Sequence, residues 1–190
     1  MNTEDLTYQL ITENILNECR LALSSISADS VTQLVDAILS ADKVFFIGVG
    51  RVMLCLQAMA KRLSHLGINT IYVGQITEPA ITSKDLLIVG SGSGETIIPV
   101  EIAKKARMYG VKIAHIGSNP QSSLREMTDI FLRIPVRTRN HFPGEIDSDQ
   151  PMTSLFEQSL FLLGDAIAKM IIVRKNINIE ELWQYHANLE

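Results

Sequence analysis

Cysteine is scarce in this chain: Cys19 and Cys55 are the only two in 190 residues. Two thiols cannot make a disulfide scaffold, and neither lies in a cluster with metal-ligand spacing. Both fall in stretches of helical periodicity, so they read as buried free thiols. Excess charge of either sign is also missing. Seventeen Lys+Arg against 21 Asp+Glu leave a formal charge of -4, which does not hold nucleic acid or an anionic membrane by bulk attraction. An anionic ligand therefore has to be captured by a local site. Long uninterrupted apolar runs are absent as well. The most apolar late stretch, Leu155 to Val173, is broken by Glu157, Gln158, Asp165 and Lys169, a load that membrane spans rarely carry. The start, Met1 to Asp5, is acidic and leads into no signal-type apolar core. A soluble, cytoplasmic protein is expected, with no internal repeat, low-complexity tract or interdomain linker.

What the chain does have is apolar material: 46% hydrophobic against 20% charged residues, enough to bury a sizeable core and too much for disorder. Its length suits one domain spanning 1–190. Apolar residues recur with helical spacing from Leu6 to Ile26. Asp29 then reads as the N-cap of a second helix carrying Val31, Leu34, Val35, Ile38 and Leu39. Five short runs follow, Lys43 to Gly48, Asn69 to Gly74, Asp85 to Gly90, Lys112 to Gly117 and Asp129 to Ile134. They are β-branched-rich and continuously apolar, which means strands buried on both faces, as in a parallel sheet. Helical patterns at Leu54 to Leu66, Ile97 to Tyr109 and Ser122 to Met127 separate several of them. Alternation of this kind predicts an α/β fold, a three-layer αβα sandwich with a five-stranded parallel sheet of flavodoxin-like type. Residues 1–40 supply N-terminal helices, 43–134 the α/β core, 135–150 a long loop, and 151–190 the C-terminal helices. Pro135 to Gln150 is long enough for a functional or mobile loop. The helix from about Thr153 to Arg174 is apolar almost all round, which suits burial against the sheet or a second subunit. A final short helix is expected within Ile177 to Glu190.

Ligands of open parallel sheets bind beyond the carboxyl ends of the strands. Two Gly-rich turns occupy such ends. One is Gly48-Val49-Gly50-Arg51; the other is Gly90-Ser91-Gly92-Ser93-Gly94-Glu95-Thr96. In the second, glycines let the backbone approach an anion. The hydroxyls of Ser91, Ser93 and Thr96 add donors, and the following helix start offers unpaired amides. This pattern points to phosphate held without a charged side chain. A Walker A loop would need Lys before the final Ser/Thr, and Glu95 stands there. A dinucleotide fingerprint would need a third Gly where Met53 stands, and an acidic residue ending the second strand, which finishes Tyr72-Val73-Gly74. Nucleotide cofactors are thereby disfavoured, and no cofactor is expected.

With these turns on the page, the chain resembles the sugar isomerase (SIS) domain and, within it, the 6-phospho-3-hexuloisomerase family. Four segments carry the resemblance: Gly48 to Arg51, Lys61 to Gly67, Gly90 to Thr96 and Gln150 to Gln158. The ending, His186-Ala187-Asn188-Leu189-Glu190, is similar too. The Ser-Gly-Ser-Gly-Glu-Thr turn marks the superfamily, whereas the segment around Glu157 and the tail are narrower. The resemblance implies interconversion of 3-hexulose 6-phosphate and fructose 6-phosphate through an enediol. It departs at Val52, where relatives usually carry Ser; a hydroxyl expected beside the substrate is missing.

That chemistry needs a base to move the carbon-bound proton and an acid/base for the two oxygens. Glu157, in the first turn of the long helix, reads by position alone either as a base with its pKa raised by burial or as a carboxylate complementing the helix dipole. The resemblance implies the base. It also implies an acid/base role for His186, the tail reaching a neighbouring subunit's site. His65, near the end of a helix, is a supporting group in ring opening or a partner of the helix dipole. His115, inside a strand, reads as a core histidine, and His141 has no neighbours that would make a metal site. No metal is expected, since no His/Asp/Glu cluster has ligand spacing. Gly50 and Arg51 join Ser91, Gly92, Ser93, Gly94 and Thr96 as candidate substrate and phosphate ligands, with a surface cation the alternative for Arg51. Arg133, Arg137 and Arg139 pair with Glu145, Asp147 and Asp149 in a solvated loop. A homodimer or homotetramer with shared sites is implied. Two other readings stay open: a sugar-phosphate sensor without catalysis, and an isomerase of arabinose 5-phosphate.

Overall fold

The computed structural model describes residues 7–138 and 142–189. Leu6, Arg139, His141 and Glu190, all singled out from the sequence, lie outside the described residues. Helix α1 runs Tyr8–Ser24 and α2 runs Ala28–Ser40. Strand β1, Val44–Ile47, leads through α3, Gly50–Ser64, to β2, Thr70–Tyr72. The chain continues with β3, Leu86–Gly90; α4, Ile97–Arg107; β4, Lys112–Gly117; α5, Ser123–Glu126; β5, Ile130–Arg133; and α6, Ser154–Lys175. A 3₁₀ segment, Ile179–Tyr185, follows near the C-terminus.

The five strands form one sheet in the order β2-β1-β3-β4-β5, every pair parallel. The expected α/β sandwich is what the chain forms. Alternate strand residues face opposite ways. Val44, Phe46, Leu86 and Ile88 join α2, α3 and α6 in one core, while Phe45, Ile47, Leu87 and Val89 join α4 and α5 in the other. Both faces are therefore apolar, and the strands read as continuous hydrophobic runs. Helix α1 packs outside the sheet, against α6.

Four local expectations need correction. The N-cap of α2 is Ser27, whose hydroxyl accepts from the Ser30 amide at 3.4 Å; Asp29 sits inside the first turn. Either residue type can cap, and the start of the helix settles which one does. Cys19 is buried but Cys55 only partly so. Arg133 is half-buried at the end of β5, donating from Nε to the Ser118 carbonyl at 3.0 Å, because the strand carries it inward before the loop begins. The 135–150 connection is not wholly irregular. Val136 and Ile146 form a parallel bridge, with Arg137 N–H to Ile146 O at 2.9 Å and Ile146 N–H to Pro135 O at 2.8 Å. The expected pairing of Arg137 with Asp147 is present at 3.2 Å.

Strand order reverses between β1 and β3, so the connections leaving those two strands diverge and open a crevice at their carboxyl ends. The two Gly-rich turns leave exactly those strands. Helix α3 seats hard against the end of β3: a Cβ on Gly90 would lie 2.8 Å from Leu56 Cδ1 and 2.9 Å from Val52 Cγ1.

Candidate active site

A cleft of about 380 Å³ opens at this switch point, lined by both turns together with Thr138, Thr153, Phe156 and Glu157. That volume suits a small phosphorylated ligand. Another concavity lies at the amino ends of the strands, around Ser83, Lys84 and Asp85. No helix N-terminus of the βα units points there, so the cleft at the carboxyl end is the candidate site.

The loop from Ser91 to Thr96 is held from behind. The Gly92 carbonyl accepts from the amides of Ser118 and Asn119 at 2.9 and 3.1 Å. That of Ser93 accepts from Asn119 Nδ2 at 3.0 Å, and that of Gly94 from the Leu124 amide at 3.2 Å. The Ser91 carbonyl accepts from His115 Nε2 at 2.9 Å. In a trans peptide the N–H points opposite to its carbonyl. With the carbonyls of Ser91 and Gly92 turned toward β4, the amides of Gly92 and Ser93 face the cleft. Within the loop, the Gly94 amide donates to Ser91 Oγ at 3.1 Å, and the Ser91 and Thr96 hydroxyls share a bond of 3.1 Å. Thr96 is the N-cap of α4 but its side chain makes no capping bond. The first amides of α4 are left with the positive end of the helix dipole. Glu95, standing where a P-loop has Lys, turns away: its carboxylate accepts from the Ser123 amide and hydroxyl, both at 2.7 Å. The bracing by His115, Asn119 and Ser123 is beyond the reach of sequence spacing, because all three come from β4 and the segment that follows it.

The other wall carries a carboxylate. Glu157 stands in the first turn of α6 with its side chain 9% exposed, against 65% for Arg51. Arg51 Nε donates to Glu157 Oε2, while Thr153 Oγ1 donates to Oε1 at 3.0 Å. Burial takes the carboxylate out of water, and the guanidinium supplies the counter-charge. The bond to Glu157 in turn raises the Arg51 pKa. Cys55 donates from Sγ to the Glu157 carbonyl at 3.2 Å; burial, then the Glu157 charge, pushes this thiol's pKa up, so it is a packing group and not a thiolate. The structure thus gathers Gly50, Arg51, Ser91, Gly92, Ser93, Thr96 and Glu157 around one cleft; Gly94, in the same loop, does not line it and instead packs against Ser122 and His115.

His65 and His186 are elsewhere in the chain. His65 caps the far end of α3, a helix length or roughly 20 Å from Gly50. His186 stacks on it with ring centroids 5.5 Å apart and planes inclined by 30°, and Trp183 lies 5.3 Å from His186. The two histidines come together, but not with Glu157. Among the described residues, no three His, Cys, Asp or Glu side chains group as metal ligands, and no helix is long and apolar enough to cross a membrane.

His115 is the core histidine expected. It is fully buried, and its bond to a carbonyl fixes the proton on Nε2, leaving Nδ1 without a hydrogen-bond partner. Burial lowers its pKa to about 4, with the Ser91 bond opposing and Arg125 adding to the effect. The unfolded chain binds that proton at higher pH than the folded one. Stability from the neutral buried ring is therefore complete above about pH 6.5 and is lost as pH falls from there to about 4. Thermal melts should show a Tm decline over this window that is shallower in His115→Gln. Parallel declines would show that His115 does not carry it.

A profile of the SIS domain matches residues 37–168. The 3-hexulose-6-phosphate isomerase of Bacillus subtilis is 39% identical over 93% of this chain and 95% of its own. The enzyme of the same name from Mycobacterium gastri is 35% identical over 98% and 92%. A Methanococcus jannaschii crystal structure, from which a 3-hexulose-6-phosphate isomerase function was inferred, superposes with a TM-score of 0.83. It is 29% identical and covers 94% of this chain and 98% of that one.

Proposed function

The chain belongs to the SIS domain family, and from that premise we propose that it is a phosphosugar isomerase interconverting D-arabino-3-hexulose 6-phosphate and fructose 6-phosphate. The observation that carries the reading is the pairing, across one cleft, of a phosphate-type amide loop with a buried carboxylate. Two relatives that match nearly the whole chain, those of Bacillus subtilis and Mycobacterium gastri, bear the name of this activity.

The phosphate docks on the amides of Gly92 and Ser93, the hydroxyls of Ser93 and Thr96, and the start of α4. The sugar then extends toward β1 and α6, bringing C2 and C3 to Glu157. Glu157 removes the C2 proton, electrons shift to form the C2=C3 enediol, and the proton returns at C3. Meanwhile the hydroxyl proton on O2 is removed and one is delivered to O3, leaving the carbonyl at C2. Thr153 holds one carboxylate oxygen, so the other faces the substrate once Arg51 turns toward the sugar or its phosphate. In this reading His65 and His186 serve the oxygens from a second copy of the chain, because one chain keeps them remote from Glu157. A homodimer or homotetramer with shared sites follows, working on a soluble metabolite in the cytoplasm.

Purified protein given 3-hexulose 6-phosphate is expected to form fructose 6-phosphate with no added metal or nucleotide. Binding without turnover would establish a sensor, and turnover of arabinose 5-phosphate alone would move the specificity. At Val52, which lines the cleft, Val52→Ser should fold normally and lower KM by restoring a hydroxyl donor. An unchanged or higher KM would refute a missing phosphate contact.

A further inference from the structure

Helix α1 meets the loop that leads to the active-site wall through a buried acid. Glu18 is buried, and its carboxylate accepts from Ser148 Oγ at 2.6 Å, the Asp149 amide at 3.2 Å and Gln150 Nε2 at 2.8 Å. No Lys, Arg or His pairs with it among the described residues. All its partners are neutral donors from three successive residues of one loop. Gln150 is held from the other side as well, its Oε1 accepting from Gln158 Nε2 at 2.7 Å. That loop runs directly into Pro151, Met152 and Thr153. Met152 has φ 58 and is almost fully exposed. A left-handed conformation is unfavourable for a side chain like this one, and no burial of Met152 compensates. The turn is therefore imposed from its flanks, by Glu18 on one side and by the start of α6 on the other. It delivers the Thr153 hydroxyl to Glu157 at 3.0 Å.

We propose that Glu18 is a positioning residue for the isomerisation: it fixes residues 148–150 so that the following turn places Thr153 on the Glu157 carboxylate. This rests on Glu157 being the base. None of Glu18's hydrogen-bond partners, Ser148, Asp149 and Gln150, lines the cleft, so its loss acts through the loop and misplaces the base without weakening the phosphate grip. Small misplacements of a reacting group are expensive in rate.

Glu18→Gln keeps the shape but turns an acceptor into a donor facing Gln150 and Ser148. In the full-length protein it should lower kcat about tenfold while KM stays within about twofold. In a Thr153→Val background the further loss should be less than about twofold, because the route to Glu157 is already cut. Hydrogen exchange at the amides of Asp149 to Ser154 should quicken without substrate present. Unchanged kcat in folded Glu18→Gln, or losses that multiply fully with Thr153→Val, would overturn the proposal. Should Glu18→Gln not fold, Ser148→Ala removes one donor and must still lower kcat about threefold with KM kept. The exchange arm is independent of chemistry. If Glu157→Gln proves fully active, the base reading falls and with it the catalytic role of Glu18, whereas unchanged exchange in Glu18→Gln refutes the clamp by itself.

Discussion

Glu157→Gln is expected to lower isomerase turnover by at least about a hundredfold, the low end of what a positioned general base contributes. The substitution is nearly isosteric. Its carbonyl can still accept from Arg51 or Thr153, so folding and phosphosugar binding should survive. What disappears is the ability to take a proton from carbon. Single-turnover assays with 3-hexulose 6-phosphate, together with measurements of solvent-proton exchange at C3 of fructose 6-phosphate, read this directly. Wild-type exchange in the variant would remove Glu157 from the chemistry whatever the substrate. Arg51 gives a second check on the same wall. It is mostly exposed and bound to Glu157, so Arg51→Met should strip the counter-ion from the buried carboxylate as well as a substrate contact, and should affect both kcat and KM.

Gly94→Ala is expected to destabilise the protein by about 3 kcal/mol and to abolish measurable phosphosugar affinity in the range that wild type binds. Gly94 has φ +68, which alone disfavours a side chain by about 1–2 kcal/mol. A Cβ there would sit 2.2 Å from Ser122 Oγ and 2.4 Å from Ser122 Cβ, with His115 Cε1 at 3.1 Å. Ser122 cannot retreat freely, since its hydroxyl accepts the Arg125 amide at the start of α5. Overpacking of this kind adds about 1–3 kcal/mol. Relief has to come from the loop, which carries the amides of Gly92 and Ser93 out of alignment. A drop in Tm of roughly 10 °C and loss of fructose 6-phosphate binding by calorimetry should appear together. Wild-type affinity in Gly94→Ala would show that the amides of this loop do not hold the ligand.

Much of the architecture was legible because its signals are local. Continuous β-branched runs such as Leu86 to Val89 can satisfy their backbone only inside a sheet and their side chains only between two apolar layers. The Gly-Ser turn after β3 is readable for the same reason: three glycines and three hydroxyls at a strand-to-helix junction have few other uses. Less legible were single-residue decisions between near-equivalents. Ser27 and Asp29 both qualify as caps, and only the φ/ψ of the preceding chain chose Ser27. Glu18 gave no signal at all, since an acidic residue on an amphipathic helix ordinarily faces water, and nothing near it in sequence announces a loop 130 residues away.

Residue order by itself determined the layer composition and the two Gly-rich turns at strand ends, because strand burial, helix capping and glycine conformations are governed by near neighbours. The choice of Glu157 as base came from the resemblance of its segment to a family. Only the tertiary structure decided that Arg51 and Thr153 grip that carboxylate, that His115 and Asn119 hold the loop from behind, and that His65 and His186 gather at the far end of α3. Those outcomes depend on strand order and on where helices cross. Electrostatics and hydrogen bonds act over a few ångströms of space, and the chain brings such neighbours together only after it has folded.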